Sequence, residues 1–246
     1  MNKSKIALAV LVASLAAWAH TSLASAPLSL ESWVTARMSV WSPPGRTTYK
    51  EAVETEDEGR ARYAEIARDA IHVVYDPSEP PVFPGEYGRA KTLATLLAVA
   101  LAESGFRKDV DLGIGSYAKG DGGRSWCLMQ IQLGKAVDGK TPMNIAMKGD
   151  GIEYVHDKSR GWGGEDLVAD RRACLRTGLH VIRVSFNSCS GLPFDERLST
   201  YTSGNCTDGR AASRTRMAKA TGWLAESAPP MKDADVLSQM FPAASP

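Results

Sequence analysis

The spacing of apolar residues along the chain predicts a mainly α-helical protein. Apolar side chains recur at intervals of three and four residues, which is the spacing of one helix face. The segments with this pattern are residues 56–75, 89–104, 166–187 and 208–226, with a shorter helix predicted at 194–202. The segment 89–104 leaves few polar positions, so we expect this helix to be almost completely buried. No convincing run of strands is present.

The remaining segments carry the residues of loops and turns. They are irregular at 27–55, rich in proline at 76–88, rich in glycine and aspartate at 107–125, and rich in glycine at 134–165. The residues from Pro229 onward are predicted to be loosely held.

The N-terminus has the form of an export signal. Lys3 and Lys5 precede an apolar run, Ile6–Trp18, and small residues follow at the positions that a signal peptidase reads, ending at Ala24. The run is shorter than the roughly 20 residues of a membrane span. We therefore expect a signal peptide at 1–24, no membrane span after cleavage, and export to the periplasm or the extracellular space. The alternative is a retained, buried N-terminal helix.

These patterns divide the chain into four parts. After the signal peptide we expect an N-terminal extension at 25–88 that contains one helix and packs on the core. The main domain follows at 89–228, and a loose tail at 229–246 ends the chain.

Composition narrows the range of partners. The formal net charge is +1, so no strong field favours nucleic acid. The cysteines lack C-x-x-C spacing and the histidines are scattered, so we expect neither a metal nor a cofactor. We expect a monomer.

Four cysteines in an exported chain predict disulfides. Three pairings are possible, and we favour Cys127 with Cys174 and Cys189 with Cys206.

Glu103 is the candidate catalytic group. It lies at the C-terminal end of the most apolar predicted helix, where apolar surroundings and the negative end of the helix dipole both disfavour the ionised carboxyl. A carboxylic acid that stays protonated near neutral pH can protonate the leaving oxygen of a glycosidic bond. The alternative is a helix-end glutamate that points into water.

Three strings occur in a fixed order: Glu-Ser-Gly-Phe from Glu103, Gly-x-Ser-x-x-Leu-Met-Gln-Ile from Gly123, and Tyr-Thr-Ser-Gly from Tyr201. Together they resemble the soluble lytic transglycosylases and goose-type lysozymes, in which the usual strings are Glu-Ser-x-Phe, Gly-Leu-Met-Gln and Tyr-Asn-Ala-Gly. The resemblance spans about residues 90–220. It implies a lysozyme-like helical domain, of the kind found in those transglycosylases, that cleaves peptidoglycan strands between N-acetylmuramic acid and N-acetylglucosamine.

The resemblance also implies roles for single residues. Glu103 becomes the general acid/base, and the Ser125 hydroxyl faces it. Met129 and Gln130 form the floor and a polar contact of the glycan groove, and the Tyr201 phenol hydrogen-bonds near the acid. Trp126 is a candidate for stacking on a sugar. Core packing is the alternative for Met129.

The chain also departs from the family strings. Cys127 replaces the usual Gly, and Thr202 and Ser203 replace the usual Asn-Ala. These changes affect the fine positioning of the groove rather than the identity of Glu103 as the acid.

A second carboxylate would decide between two reactions. Asp109, Asp111 and Asp121 follow the Glu103 helix, and Asp121 is the best placed. If it holds a water, the bond is hydrolysed; without it, the substrate's own groups give a 1,6-anhydro product. The alternative for Asp121 is stabilisation of a glycine turn.

Two competing functions follow from the same sequence. A non-catalytic peptidoglycan-binding protein on the same fold is the main rival. Residues 134–141 also match the phosphate-loop pattern G-x-x-x-x-G-K-[ST], but Pro142 follows at once and no alternation of strands and helices surrounds it. We therefore do not expect nucleotide binding.

Overall fold

A computed structural model describes residues 26–45, 52–134 and 143–242. The predicted signal peptide and residues 135–141 of the phosphate-loop pattern lie outside the described residues. Within these ranges the α-helices are α1 Leu28–Trp41, α2 Glu56–Tyr75, α3 Gly88–Ser104, α4 Lys108–Asp111, α5 Gly164–Ala169, α6 Arg171–Ser188, α7 Ser199–Ser203, α8 Arg210–Glu226 and α9 Asp233–Met240. Two antiparallel hairpins accompany them, made of β1 Ser125–Trp126 with β2 Ile131–Gln132, and β3 Asn144–Lys148 with β4 Gly151–Val155. The prediction of a mainly α-helical class is confirmed.

Helices α2 and α6 begin at residues whose side chains cap them. At the start of α2, the Thr55 hydroxyl accepts a hydrogen bond from the Glu58 N–H at 3.2 Å, and the Glu58 carboxylate accepts one from the Thr55 N–H at 2.8 Å. At the start of α6, the Asp170 carboxylate accepts from the Ala173 N–H at 3.1 Å. Because Asp170 has an extended backbone, it interrupts the single helix predicted at 166–187 and separates α5 from α6.

Helix α3 lies at the centre of the apolar core, as its composition predicts. Its side chains are buried on almost all sides and pack against α2, α6 and α8. The helix ends at Gly105, whose φ of +61° is a left-handed conformation that glycine adopts without strain. This ending places Glu103 in the last turn of a buried helix.

The N-terminal segment was wrongly predicted to be irregular. Residues 28–41 form α1, which buries Leu30, Val34 and Met38 at intervals of four residues. Trp33, on the same helix, stacks on Trp223 of α8 with ring centroids 3.9 Å apart. The described residues before α3 therefore form two helices, and both belong to the same apolar core as the main domain.

The C-terminal segment was wrongly predicted to be loose. Helix α9 buries Val236 and Met240 against the core. Its first residue, Asp233, accepts hydrogen bonds from the N–H groups of Arg89 and Ala90, at 2.7 and 3.2 Å. The segment therefore caps the N-terminus of α3, because that helix lacks a capping side chain from its own N-cap residue.

The segment predicted as loops at 134–165 contains the larger hairpin. Strand β3 pairs with β4 from Asn144 opposite Val155 to Lys148 opposite Gly151. The hairpin packs on α6. Within the described ranges, no helix combines the length and the apolar character needed to cross a membrane.

Candidate active site

Five of the seven predicted site residues meet at one cavity of about 430 Å³. Its wall is formed by the end of α3, the segment around β1 and β2, helix α7 with the residues after it, and one face of α8. The cavity is lined by Glu103, Gly120, Asp121, Ser125, Gln130, Gln132, Tyr201, Thr202, Ser203, Gly204 and Arg216. Five residues singled out in the sequence therefore share one concave, mainly polar surface.

The Glu103 side chain is only 20% exposed, so it is not the solvent-facing glutamate of the alternative interpretation. Its Oε1 accepts a hydrogen bond from Nη2 of Arg216 at 2.5 Å. Burial raises the pKa of Glu103 above its ordinary value; the Arg216 charge opposes this rise, and the Asp121 charge adds to it.

Tyr201 contributes a neutral phenol to the cavity wall. Its hydroxyl donates a hydrogen bond to the backbone carbonyl of Met129 at 2.7 Å. Burial raises the pKa of Tyr201 well above its ordinary value, and the nearby charge of Glu103 adds to the rise. Tyr201 therefore stays uncharged beside the acid and joins α7 to the loop that carries Met129.

Met129 does not line the cavity. Its side chain is 0% exposed and packs in the core, where a Cβ added at Gly178 of α6 would lie 2.7 Å from its Cγ. The expected contact of this side chain with a sugar does not fit such burial, because substrate reaches only accessible atoms. Met129 instead contributes its backbone carbonyl, as the acceptor for Tyr201.

Asp121 is the second carboxylate of the cavity. Its Oδ2 accepts hydrogen bonds from the Ser125 hydroxyl at 2.6 Å and from Nε2 of Gln132 at 3.1 Å. The Ser125 hydroxyl therefore donates to Asp121 rather than to Glu103, unlike the role implied by the resemblance. Asp121 has a left-handed backbone, with φ of +50°, so it also forms the glycine-rich turn.

The other two candidate carboxylates lie elsewhere. Asp109 is buried and forms an ion pair with Arg107 at 3.0 Å. Asp111 is buried and pairs with Arg171 at 2.9 Å, which joins α4 to α6. Both are engaged in structural ion pairs and do not line the cavity.

Gln130 lies in the cavity wall, but its amide also braces the surrounding loop. Its Oε1 accepts from the Gly120 N–H at 3.0 Å, and its Nε2 donates to the carbonyls of Cys127 and Ala118 at 3.1 and 3.3 Å. These bonds hold a segment in which Cys127 and Gln130 both have left-handed backbones. Gln130 therefore fixes the shape of the wall.

Trp126 lies on the other side of β1, in a separate cleft of about 520 Å³. Nζ of Lys119 lies 3.9 Å from the ring centroid. Gly164, the first residue of α5, packs so closely that an added Cβ would lie 2.0 Å from the ring. Trp126 therefore packs against Lys119 and Gly164 and does not share the cavity of Glu103.

Arg216 and Gln132 are cavity residues that the sequence analysis missed. On α8 the buried positions Ser213, Met217 and Ala220 mark the inner face, and Arg216 borders that face. The helical period was therefore a usable signal for the position of Arg216. Its pairing with Glu103 could not be predicted, because the two residues are 113 positions apart in the chain.

Both predicted disulfides are confirmed, and both attach the cavity walls to α6. Cys127 bonds to Cys174 within α6, and Cys189, directly after α6, bonds to Cys206. The first bond holds the loop that carries Asp121 and Gln130. The second holds the segment after Tyr201.

Removing the first disulfide is expected to destabilise the fold. The double substitution Cys127→Ser and Cys174→Ser should lower the free energy of unfolding by about 2–4 kcal/mol, because the bond closes a long loop. Urea unfolding of the oxidised wild type and the variant measures this change. The matched control replaces Cys189 and Cys206, which close a shorter loop, and should lose less. A loss below about 1 kcal/mol in the first variant would contradict the expectation.

Metal ligation finds no support among the described residues, where no group of three or more histidine, cysteine, aspartate or glutamate side chains could hold a metal ion. Comparison of the chain with protein-family models, with curated proteins and with solved structures finds no match. The lysozyme-like fold and the function therefore stay predictions.

Proposed function

We propose that the protein is an exported glycosidase that cleaves the β-1,4 bond between N-acetylmuramic acid and N-acetylglucosamine in peptidoglycan. Glu103 is its general acid/base. The observation that carries this proposal is the position of the Glu103 carboxyl, four-fifths buried at the end of an apolar helix yet in the wall of a polar cavity. We further propose that the helical core is lysozyme-like.

The chemistry requires a carboxylic acid that first gives a proton and later takes one back. Burial supports the first step, because it raises the pKa of Glu103 and so favours the protonated form. The neutral phenol of Tyr201 and the amide of Gln130 add polar surface to the cavity without adding a fixed charge. A sugar oxygen that enters the cavity would meet an acid able to protonate it.

Asp121 supplies the second carboxylate that glycosidic cleavage can use. Hydrogen bonds from Ser125 and Gln132 hold its Oδ2 in the wall that it shares with Glu103. In hydrolysis, Asp121 would orient a water toward the sugar. In the alternative reaction, Glu103 protonates the leaving oxygen as the glycosidic bond breaks, and the 6-hydroxyl of the substrate then attacks C1 and gives its proton to Glu103, which forms a 1,6-anhydro sugar.

Two observations support export. The predicted signal peptide indicates secretion, and the two disulfides favour an oxidising compartment. Such a compartment is where peptidoglycan is found, so the proposed location and the proposed substrate agree.

A non-catalytic peptidoglycan-binding protein is the second candidate, and one observation favours it. The ion pair of Glu103 with Arg216 stabilises the ionised carboxylate, which cannot donate a proton. In that case the cavity would bind glycan without cleaving it.

Incubation of the mature chain with purified, insoluble peptidoglycan separates the candidates. We expect soluble muropeptides to be released, and mass spectrometry to distinguish hydrolysis from 1,6-anhydro formation by the mass of one water. Binding to the insoluble wall without released muropeptides would favour the non-catalytic protein. Absence of both binding and release would contradict both candidates.

A further inference from the structure

Arg216 is a buried cation in the wall of the candidate active site. Its side chain is 11% exposed and extends from α8 toward the end of α3, two helices that pack closely together. Its Nη2 donates to Oε1 of Glu103 at 2.5 Å. Among the described residues, Glu103 is its one ion-pair partner.

The other N–H donors of the Arg216 guanidinium lack hydrogen-bond acceptors in the part of the chain that the structure describes. Its Nε and Nη1 are buried and have no hydrogen-bond partner within the described residues. A buried guanidinium that lacks hydrogen-bond partners lowers the stability of a fold. Hydrophobic residues of similar volume at the same position often give a more stable protein. Because only one of its three guanidinium nitrogens has a partner in the described ranges, the hydrogen bond to Glu103 is the contact that fixes the Arg216 guanidinium.

Three ionisable groups face Glu103, each from a different element. Arg216 faces it from α8, Asp121 from the turn before β1, and Tyr201 from α7. Burial and the charge of Asp121 both favour the protonated carboxyl, whereas Arg216 favours the ionised one. Arg216 therefore stands alone among these groups as the one that favours the ionised form.

We propose that Arg216 is a positioning residue that holds the Glu103 carboxyl and stabilises its ionised form, so that the carboxyl can take a proton back after giving one. A general acid/base works best when both forms are accessible at the working pH, because it must donate and then recover the proton. Without Arg216, burial beside Asp121 would leave the Glu103 carboxyl protonated to higher pH, so the ionised form that must recover the proton would be less populated. This inference rests on the proposed function where it concerns catalysis.

Two substitutions at Arg216 test whether its positive charge is what acts on Glu103. Arg216→Met removes the charge but retains much of the apolar chain, and Arg216→Lys keeps the charge. Arg214→Met is the matched control, because Arg214 lies on the same helix with its side chain half exposed and pairs with Glu196 on the surface. Far-UV circular dichroism establishes that each variant is folded.

Two measurements are made on each folded variant. The first is the pH dependence of kcat/KM for peptidoglycan cleavage. The second is the titration of the Glu103 carboxyl carbon by ¹³C NMR, assigned by its absence in Glu103→Gln, which needs no catalysis.

We expect Arg216→Met to move the alkaline limb of kcat/KM to higher pH. The ratio of kcat/KM at pH 8 to that at pH 6 should rise about tenfold, the effect of losing one adjacent opposite charge. The Glu103 carbon should titrate at higher pH in the same variant. Arg216→Lys and Arg214→Met should resemble the wild type in both measurements.

An unchanged Glu103 titration in folded Arg216→Met would overturn the proposal, as would an equal shift in Arg216→Lys. If the wild type cleaves no peptidoglycan but the NMR titration moves as expected, the control of Glu103 by Arg216 is supported and the proposed function fails. The two failures are therefore distinguishable.

Discussion

Glu103→Gln should abolish the release of soluble muropeptides while leaving the fold intact. The amide has nearly the shape of the acid and can accept the hydrogen bond from Arg216, so the cavity keeps its geometry. It cannot donate a proton to a leaving oxygen at any useful rate. General acid/base groups contribute about 10²–10⁴-fold to catalysis, and we expect kcat to fall by this factor.

Turbidity clearing of purified cell walls, together with muropeptide analysis, measures the loss. Glu226→Gln is the matched control, because Glu226 is an exposed residue of α8 that pairs with Arg37 on the surface. This control should retain wild-type activity. Persistent clearing by a folded Glu103→Gln variant would remove Glu103 from the catalytic role.

Glu79→Gln should lower the free energy of unfolding by about 3–5 kcal/mol, the range for breaking a buried ion pair. Glu79 lies in the loop that connects α2 to α3. Its buried carboxylate accepts a hydrogen bond from Nη1 of Arg183 at 2.7 Å and lies 3.0 Å from Nε2 of His180. His180 and Arg183 both belong to α6, so this cluster attaches the loop before α3 to the helix that contains Cys174 and is followed directly by Cys189. The neutral amide would leave the charge of Arg183 buried and uncompensated.

The effect of Glu79 on stability should depend on pH. Burial alone would raise the pKa of Glu79, but hydrogen bonds from His180 and Arg183 outweigh it and lower the pKa from 4.5 to about 2. A carboxyl whose pKa is lowered by folding stabilises the protein fully above its ordinary pKa and loses this contribution as the pH falls. The difference between wild type and Glu79→Gln should therefore be largest above pH 4.5 and shrink toward pH 2.

Urea unfolding at pH 7 and at pH 3 measures both parts of this prediction. Glu86→Gln is the control, because Glu86 forms an exposed ion pair with Lys232. The free energy of unfolding of this control should fall by less than about 1 kcal/mol at either pH. A Glu79→Gln variant that unfolds like Glu86→Gln would show that the buried cluster adds nothing to stability.

The sequence was most informative where local rules decide structure. Helices α2, α3 and α8 were predicted to within two residues, because their apolar faces and start signals are encoded in consecutive residues. Helix α1 was missed although Leu30, Val34 and Met38 have helical spacing, since the neighbouring prolines and glycine suggested an irregular segment. Helix α9 is short and amphipathic, and its burial depends on a surface supplied by α2 and α3.

The predicted site residues also differ in whether the local sequence was enough to place them. Glu103, Asp121, Ser125, Gln130 and Tyr201 were named from local strings, and all five line the cavity. Trp126 and Met129 belong to the same string but face other surroundings. Trp126 is on the opposite side of β1 from Ser125, because successive strand residues alternate, and Met129 enters the core.

What the sequence determined by itself is the helical class, the positions of the main helices, and the presence of a carboxyl at the end of an apolar helix. These follow from the order of neighbouring residues. Only the tertiary structure decided that Arg216 pairs with Glu103, that Ser125 binds Asp121, and that α6 anchors both cavity walls. Such pairings join residues far apart in the chain, and their geometry depends on how the helices pack, which no local pattern specifies.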